Sequence, residues 1–152
     1  LEIAEVAVDA VLEGRIAAIA MEDLVEGQLS LGRIEAAIEN AARACELSPR
    51  DPRTWSDRGC VHAMLGELRA AVAAYTRALE IDRDFTVGWH NLGVTLARLG
   101  DTRAAFCALR NAQMLDGRRA CTCIALGQLL ADMGLLDAAL ASFARAEQLA
   151  TA

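Results

Sequence analysis

Glycine recurs in this chain on a fixed step: Gly32, Gly66, Gly100 and Gly134 each lie 34 residues from the next. Alanine keeps the same step twice, at Ala37, Ala71, Ala105 and Ala139 and again at Ala44, Ala78, Ala112 and Ala146. A chain that repeats one set of small residues at a constant interval is built from copies of one supersecondary unit. Such copies bury a continuous layer between neighbours and need no single large core. Within each copy the apolar residues fall three and four apart in two segments that meet at the spaced glycine, for example 52–65 and 67–81, which predicts an antiparallel pair of helices. Gly66 and its three equivalents then sit at a helix C-terminus, where a left-handed backbone closes the helix without a Cβ penalty. Asp51-Pro52 and Gly100-Asp101 supply start signals, the aspartates as caps and Pro52 as a first helical residue. Gly59, Gly93 and Gly127 fall in mid-helix, at a cost of about 1 kcal/mol each against alanine, so three at one equivalent site imply a packing reason. The small residues let two helix backbones approach, and the Trp, Leu, Tyr and Phe beside them fill the remaining gaps.

The residues between these markers follow a known pattern. Trp89, His90, Asn91, Leu92 and Gly93, followed by Leu96, Ala105, Leu109 and Ala112, closely resemble the tetratricopeptide repeat W-x2-L-G-x2-Y, A-x3-F, with leucine standing for both aromatics. The second copy has Trp55, Gly59, Ala71, Tyr75 and Ala78, with Arg58 at the usual leucine and His62 at the usual tyrosine. The fourth has Leu126, Gly127, Leu130, Ala139, Phe143 and Ala146, with Cys123 in place of tryptophan. The first is the most degenerate, with Met21, Leu24, Val25, Gln28, Ala37, Ala41 and Ala44, ending in the family's proline at Pro49. Propeller blades and armadillo-type repeats are longer than this step, and leucine-rich repeats are shorter. The resemblance covers residues 18–152 as four copies, 18–51, 52–85, 86–119 and 120–152. It implies an all-α fold, an α-solenoid in which antiparallel helix pairs wind into a right-handed superhelix. Residues 1–17 carry a helical stripe of Ile3, Val6, Ala7, Ala10 and Val11 that stops at Gly14. They read either as the second helix of a truncated preceding repeat or as an N-terminal cap. The chain opens on Leu1, as an excised piece of a longer protein would.

Composition narrows the function. Residues 1–51 carry a net charge of −7 and residues 52–152 a net charge of +1. Phosphate binding needs a concentrated basic surface, and here the strongest local field is negative, which argues against nucleic acid. All 15 basic side chains are arginine, the bias of a GC-rich genome, so a bacterial source is expected. The longest uninterrupted apolar runs, 16–21 among them, are far short of the roughly 20 residues that cross a bilayer. No charged leader with an apolar core is visible, although a removed one would leave no trace. Cys45, Cys60, Cys107, Cys121 and Cys123 are odd in number and lack paired C-x2-C spacing, so neither a disulfide framework nor a structural zinc site follows. A reducing, cytoplasmic compartment is the expectation. Cys45 and Cys107 sit close to packing positions on second helices and read as buried small hydrophobes, and His62 as a core substitute for tyrosine.

No catalytic signature is present: the chain holds no G-x-S-x-G, P-loop, G-x-G-x-x-G or H-E-x-x-H. Carboxylate pairs such as Glu22 and Glu26 have the spacing of neighbours on a solvated helix face. The expectation is a non-enzymatic interaction scaffold without cofactor or metal. What the resemblance implies about the site is a concave groove lined by the first helix of each pair. Carried over position by position, the groove takes Glu22, Asp23 and Glu26 from the first copy and Arg53, Ser56, Asp57, Cys60 and Met64 from the second. The third copy gives His90, Asn91, Val94 and Arg98, and the fourth gives Cys121, Ile124, Gln128 and Asp132. Cys60, His90 and Cys121 would fall on this surface in successive copies, but no carboxylate or further histidine aligns with them to complete a metal site. The family's clamp for acidic C-terminal tails needs lysine, asparagine and arginine at set positions. Here those positions hold Ser56, Cys60, Asn91, Cys121 and Ala125, and only Asn91 fits. With an acidic N-terminal end, the groove suits a basic or neutral segment of a protein partner. Two other classes stay open: a self-assembling array that stacks through the outer face of its last helix (Leu136, Leu140, Phe143, Leu149), and an accessory array beside a catalytic domain such as a glycosyltransferase.

Overall fold

The computed structural model of the chain describes residues 31–151. The segment 1–17, with the choice between truncated repeat and cap, lies outside the described residues, as does the start of the first copy. Among the described residues there are seven α-helices and no strand: α1 Leu31–Leu47, α2 Pro52–Met64, α3 Leu68–Ile81, α4 Thr86–Leu99, α5 Thr102–Leu115, α6 Ala120–Asp132 and α7 Leu136–Thr151. Each helix packs on the next in sequence, and α4 also touches both α2 and α6, so the fold is an all-α array in which neighbouring pairs share contacts.

Three turns, after α2, α4 and α6, are built alike. Gly66, Gly100 and Gly134 have φ of 79°, 85° and 79°. In each the glycine N–H donates to the carbonyl three residues back and the following N–H to the carbonyl five back, as in Gly100 to Ala97 at 3.0 Å and Asp101 to Leu96 at 3.0 Å. These bonds satisfy carbonyls that a helix end would otherwise leave open. Gly32 does not belong to that set. It is the second residue of α1 and is helical, so the expectation that all four glycines close a helix is corrected for the first copy. Starts are also as the sequence implies: the Asp51 carboxylate accepts from Arg53 N at 2.9 Å with Pro52 in first place, and Asp101 accepts from Ala104 N at 3.2 Å.

Close packing within a pair comes from glycine against a large side chain of the second helix. A Cβ on Gly59 would stand 2.7 Å from the Tyr75 ring, one on Gly127 2.7 Å from the Phe143 ring, and one on Gly93 2.6 Å from Leu109 Cγ and 3.2 Å from the Ala105 carbonyl oxygen. The spaced alanines complete the contact: Ala71, Ala78, Ala105 and Ala112 have no exposed surface. Ala44, by contrast, is only half-buried. Two apolar clusters result, one around Tyr75, Leu79, Val61 and Leu92, the other around Leu109, Leu126 and Leu129.

Tryptophan ties the entry loops. Trp55 Nε1 donates to the Pro49 carbonyl at 3.0 Å and Trp89 Nε1 to the Arg83 carbonyl at 2.8 Å, six residues back in both cases. Arg58, which replaces the usual leucine, lies over the Trp55 ring with its Cζ 5.6 Å from the centroid, and Arg77 joins it at 5.9 Å. The substitution is therefore accommodated as a cation–π contact. Among the cysteines, Cys45 is buried as expected, but Cys107 is exposed. The reason is register: Cys45 is one repeat from buried Leu79, whereas Cys107 is one repeat from Ala73 and Ala141, both exposed. His62 is half-buried with Nδ1 2.7 Å from Glu67 Oε2, bridging the turn between α2 and α3.

Two substitutions separate the roles of glycine in urea unfolding. Gly93→Ala should lose about 1–3 kcal/mol, because the Ala105 carbonyl cannot move aside as a side chain can. Gly100→Ala should lose about 1–2 kcal/mol from the left-handed backbone alone, since nothing lies within 4 Å of its Cβ. Equal stability of Gly93→Ala and the parent would mean that the helices are not in close contact there.

Candidate partner-binding surface

Helices α2, α4 and α6 carry equivalent residues one step apart, so a position on one is repeated on the next: Asp57, Asn91 and Ala125; Ser56, His90 and Ile124; Cys60, Val94 and Gln128. Because α4 touches α2 and α6 directly, these positions adjoin along one layer. Glu22, Asp23 and Glu26 lie outside the described residues. The other expected groove residues divide by depth. Arg53, Arg98, Gln128 and Asp132 are exposed; Asp57, Met64, Val94, Cys121 and Ile124 are half-buried; Ser56, Cys60, His90 and Asn91 are buried.

Three of the buried four, Cys60, His90 and Asn91, make polar contacts to neighbouring helices. Tyr75 Oη donates to Cys60 Sγ at 3.2 Å, and Asn91 Nδ2 reaches the same sulfur at 3.7 Å. Thr95 Oγ1 donates to the Asn91 carbonyl at 2.8 Å. Burial pushes the Cys60 thiol up to about 12, against the opposing hydrogen bond from Tyr75, so the sulfur stays protonated at neutral pH. His90 Nδ1 lies 3.2 Å from Thr122 Oγ1, while its Nε2 and Arg119 Nε are buried with no hydrogen-bond partner among the described residues. Burial, helped by the Arg119 charge, brings the His90 imidazole down to about 4, so it is neutral at pH 7. Among the described residues no three His, Cys, Asp or Glu side chains come close enough to hold a metal ion.

Cationic groups near α2 are engaged with other partners. Arg53 meets Asp51 through Nε at 3.3 Å and Nη2 at 3.2 Å, and that contact holds the Asp51 carboxyl below its ordinary value. Arg98 Nη1 donates to the Ala63 carbonyl at 3.2 Å, linking α4 to the end of α2. Asp57, in the middle of α2, makes no hydrogen bond or ion pair with the described residues. Burial pushes its carboxyl up to about 6, with the Asp51 charge adding to the shift and Arg53 opposing it only in part. A half-buried carboxylate left without a donor was not visible in the sequence, where Asp57 is one acid of many on a helix surface. Thr95, Thr122 and Arg119, which shape the buried polar contacts, carried no signal either, because none belongs to a repeated position of distinctive type.

At the far end, Leu136 and Leu140 on α7 are 63% and 66% exposed. The residues equivalent to Leu140 are half-buried in the earlier pairs: Val72 on α3 and Phe106 on α5, each packed against an apolar cluster. No described helix is long and apolar enough to cross a membrane.

Comparison with known proteins agrees with this architecture. Models of the tetratricopeptide repeat match residues 52–85 and 122–152. A crystal structure of MamA is similar with a TM-score of 0.72 at 18% identity, over 95% of this chain and 85% of that one. A crystal structure titled MamA protein gives 0.70 at 19% identity, over 88% of this chain and 70% of that one. At such identity the likeness speaks for the fold. No curated protein matches the chain.

Asp57 and His90 make opposite contributions to acid stability. An acid whose folded pKa is raised is best tolerated when protonated, so Asp57 lowers stability above pH about 6, and the loss is recovered as pH falls toward 4. Asp57→Asn should therefore gain about 1 kcal/mol at pH 7, a figure reduced for the solvent still reaching the carboxylate, and the gain should fade near pH 4. A base whose folded pKa is lowered acts the other way: His90 holds its full stability above pH 6.5 and loses up to about 3 kcal/mol as pH falls toward 4. Thermal melts of Asp57→Asn and His90→Gln from pH 4 to 8 would show curves of opposite slope difference from the parent.

Proposed function

Because this chain is a tetratricopeptide-repeat protein and hence a protein-interaction scaffold, we propose that it docks an extended segment of a protein partner on the layer formed by α2, α4 and α6, the concave side in the family it belongs to. The observation that carries the reading is the run of half-buried side chains along three touching helices: Asp57 and Met64, then Val94, then Cys121 and Ile124. Half-burial leaves apolar surface to be covered by a partner at little cost in side-chain order. The mixed lining favours a basic or neutral segment over an acidic tail, since the clamp for carboxylates has only Asn91, and that side chain is buried toward Cys60. On this reading the chain's part is binding: the buried Cys60 thiol is held protonated and the His90 imidazole neutral.

A photo-crosslinking residue at Ile124 should give a discrete partner adduct in native extract. The same group at exposed Arg110 on α5 should give none, and Val94→Glu should abolish the adduct from position 124. Adducts formed from position 110 alone would move the docking face to the other side of the array.

A second reading is favoured by Leu140 alone. A side chain 66% exposed where Val72 and Phe106 are half-covered by the following helix leaves α7 ready for another helix, and a second copy of the chain would supply one. Light scattering over a concentration series would show mass rising with concentration for the parent and constant mass for Leu140→Glu. Constant mass for both leaves the outer face of α7 without a role in assembly.

A further inference from the structure

We propose that Asp57 seats a cationic side chain of the partner, an arginine or lysine of an extended segment whose apolar residue about three positions away rests on Val94. The inference rests on the α2, α4 and α6 layer being the docking face, and it adds the chemistry that face selects.

Four observations converge on it. Asp57 is half-buried in the middle of α2 and has no hydrogen-bond or ion-pair partner among the described residues, although carboxylates removed from water are normally paired. Its neighbours on the same face compensate the charge only in part: Ser56 is buried and uncharged, Cys60 is a buried thiol bonded to Tyr75, and Arg53, one turn back, lies against Asp51 and opposes the Asp57 shift incompletely. The cations on and against α2 are engaged elsewhere, Arg53 with Asp51, Arg58 over the Trp55 ring, and Arg98 with the Ala63 carbonyl, about 9 Å along the helix from Asp57 at 1.5 Å per residue. Among the described residues no cation completes the site, so the partner is assigned that role. Finally, burial pushes the Asp57 carboxyl up, and a guanidinium or ammonium group laid against it would reverse that shift while forming a charge-assisted bond in a partly dry setting.

Geometry sets the spacing. Helices in contact run with axes about 8–10 Å apart, which is about three residues of extended chain at roughly 3.3 Å each. A side chain at Asp57 and one at Val94, on touching helices, are then served by residues three apart in a ligand of polyproline II form, whose turn of about three residues returns to the same face. An acidic residue at the first position would meet a like charge that Arg53 offsets only in part and be rejected.

The test uses the full chain and two acetylated, amidated octapeptides of glycine, serine and alanine with one leucine. One carries an arginine three positions before the leucine, and the other carries citrulline there, which keeps the shape and loses the charge. Binding is followed by isotope-edited NMR of backbone amides and side-chain carboxyls. The expected result is shifts on α2 and α4, including the Asp57 carboxyl, with the arginine peptide binding about tenfold tighter than the citrulline peptide. Asp57→Asn should erase that preference while melting no earlier than the parent at pH 7, a pairing that a purely structural role for Asp57 would not produce. Equal affinity for the two peptides, or an arginine preference that survives Asp57→Asn, overturns the seat while the docking face stands. Shifts confined to α3, α5 and α7, or none with either peptide, overturn the seat and the docking face together.

Discussion

The distance between the helices of each pair is set by a single kind of contact: a ring or branched side chain of the second helix occupies the space where the first helix would carry a Cβ. Tyr75 does this over Gly59, Leu109 over Gly93 and Phe143 over Gly127. The close approach lets Ala71 and Ala105 be wholly buried, and it fixes the rotation of α2, α4 and α6 about their own axes. Rotation is what matters for function, because it decides which residues of those helices meet neighbours and which are left for a guest. An alanine at Gly93 would change that rotation before it changed anything at the surface.

Below the proposed docking layer the polar contacts are mostly between uncharged groups, with the Arg119 guanidinium beside His90 as the exception. Cys60, Tyr75, Asn91 and Thr95 are joined by neutral hydrogen bonds, and the His90 imidazole is neutral against Thr122. Neutral groups cost less to bury than ions, and a layer with few fixed charges underneath leaves the surface groups to decide which partner fits. Asp57 departs from this rule. It is an ionised group at neutral pH in a place that disfavours ions, a local loss of stability of the kind that binding sites tolerate because a ligand relieves it.

How far the sequence alone reaches can be judged residue by residue. The 34-residue step locates the turns at Gly66, Gly100 and Gly134, since a left-handed residue at a helix end leaves a compositional trace, and Asp51, Pro52 and Asp101 mark starts for the same reason. Gly32 shares the step and not the role; spacing says which positions correspond, and the backbone still follows its local neighbours. Cys107 was misplaced because a helix has a narrow packing stripe and a residue one position off it faces solvent, as Ala73 and Ala141 also do. For the candidate site, register picks out a face of α2, α4 and α6. It does not register the shadow cast by the adjoining helix, which takes His90 and Asn91 below the surface and leaves Val94 and Ile124 at it. Nor could it distinguish Asp57 from the other acids, because desolvation is a property of surroundings that a one-dimensional pattern does not contain.

The indole ties of Trp55 and Trp89 also have a bearing on the array as a mechanical object. Each fastens the loop between two pairs to the helix that follows, at the carbonyl six residues upstream. At the corresponding place in α6 stands Cys123, a buried thiol that meets Gln113 of α5 in place of the loop carbonyl. The indole tie thus holds two of the described joints and a weaker thiol contact the third, and bending or fraying under load will concentrate where the tie is weaker, between α5 and α6.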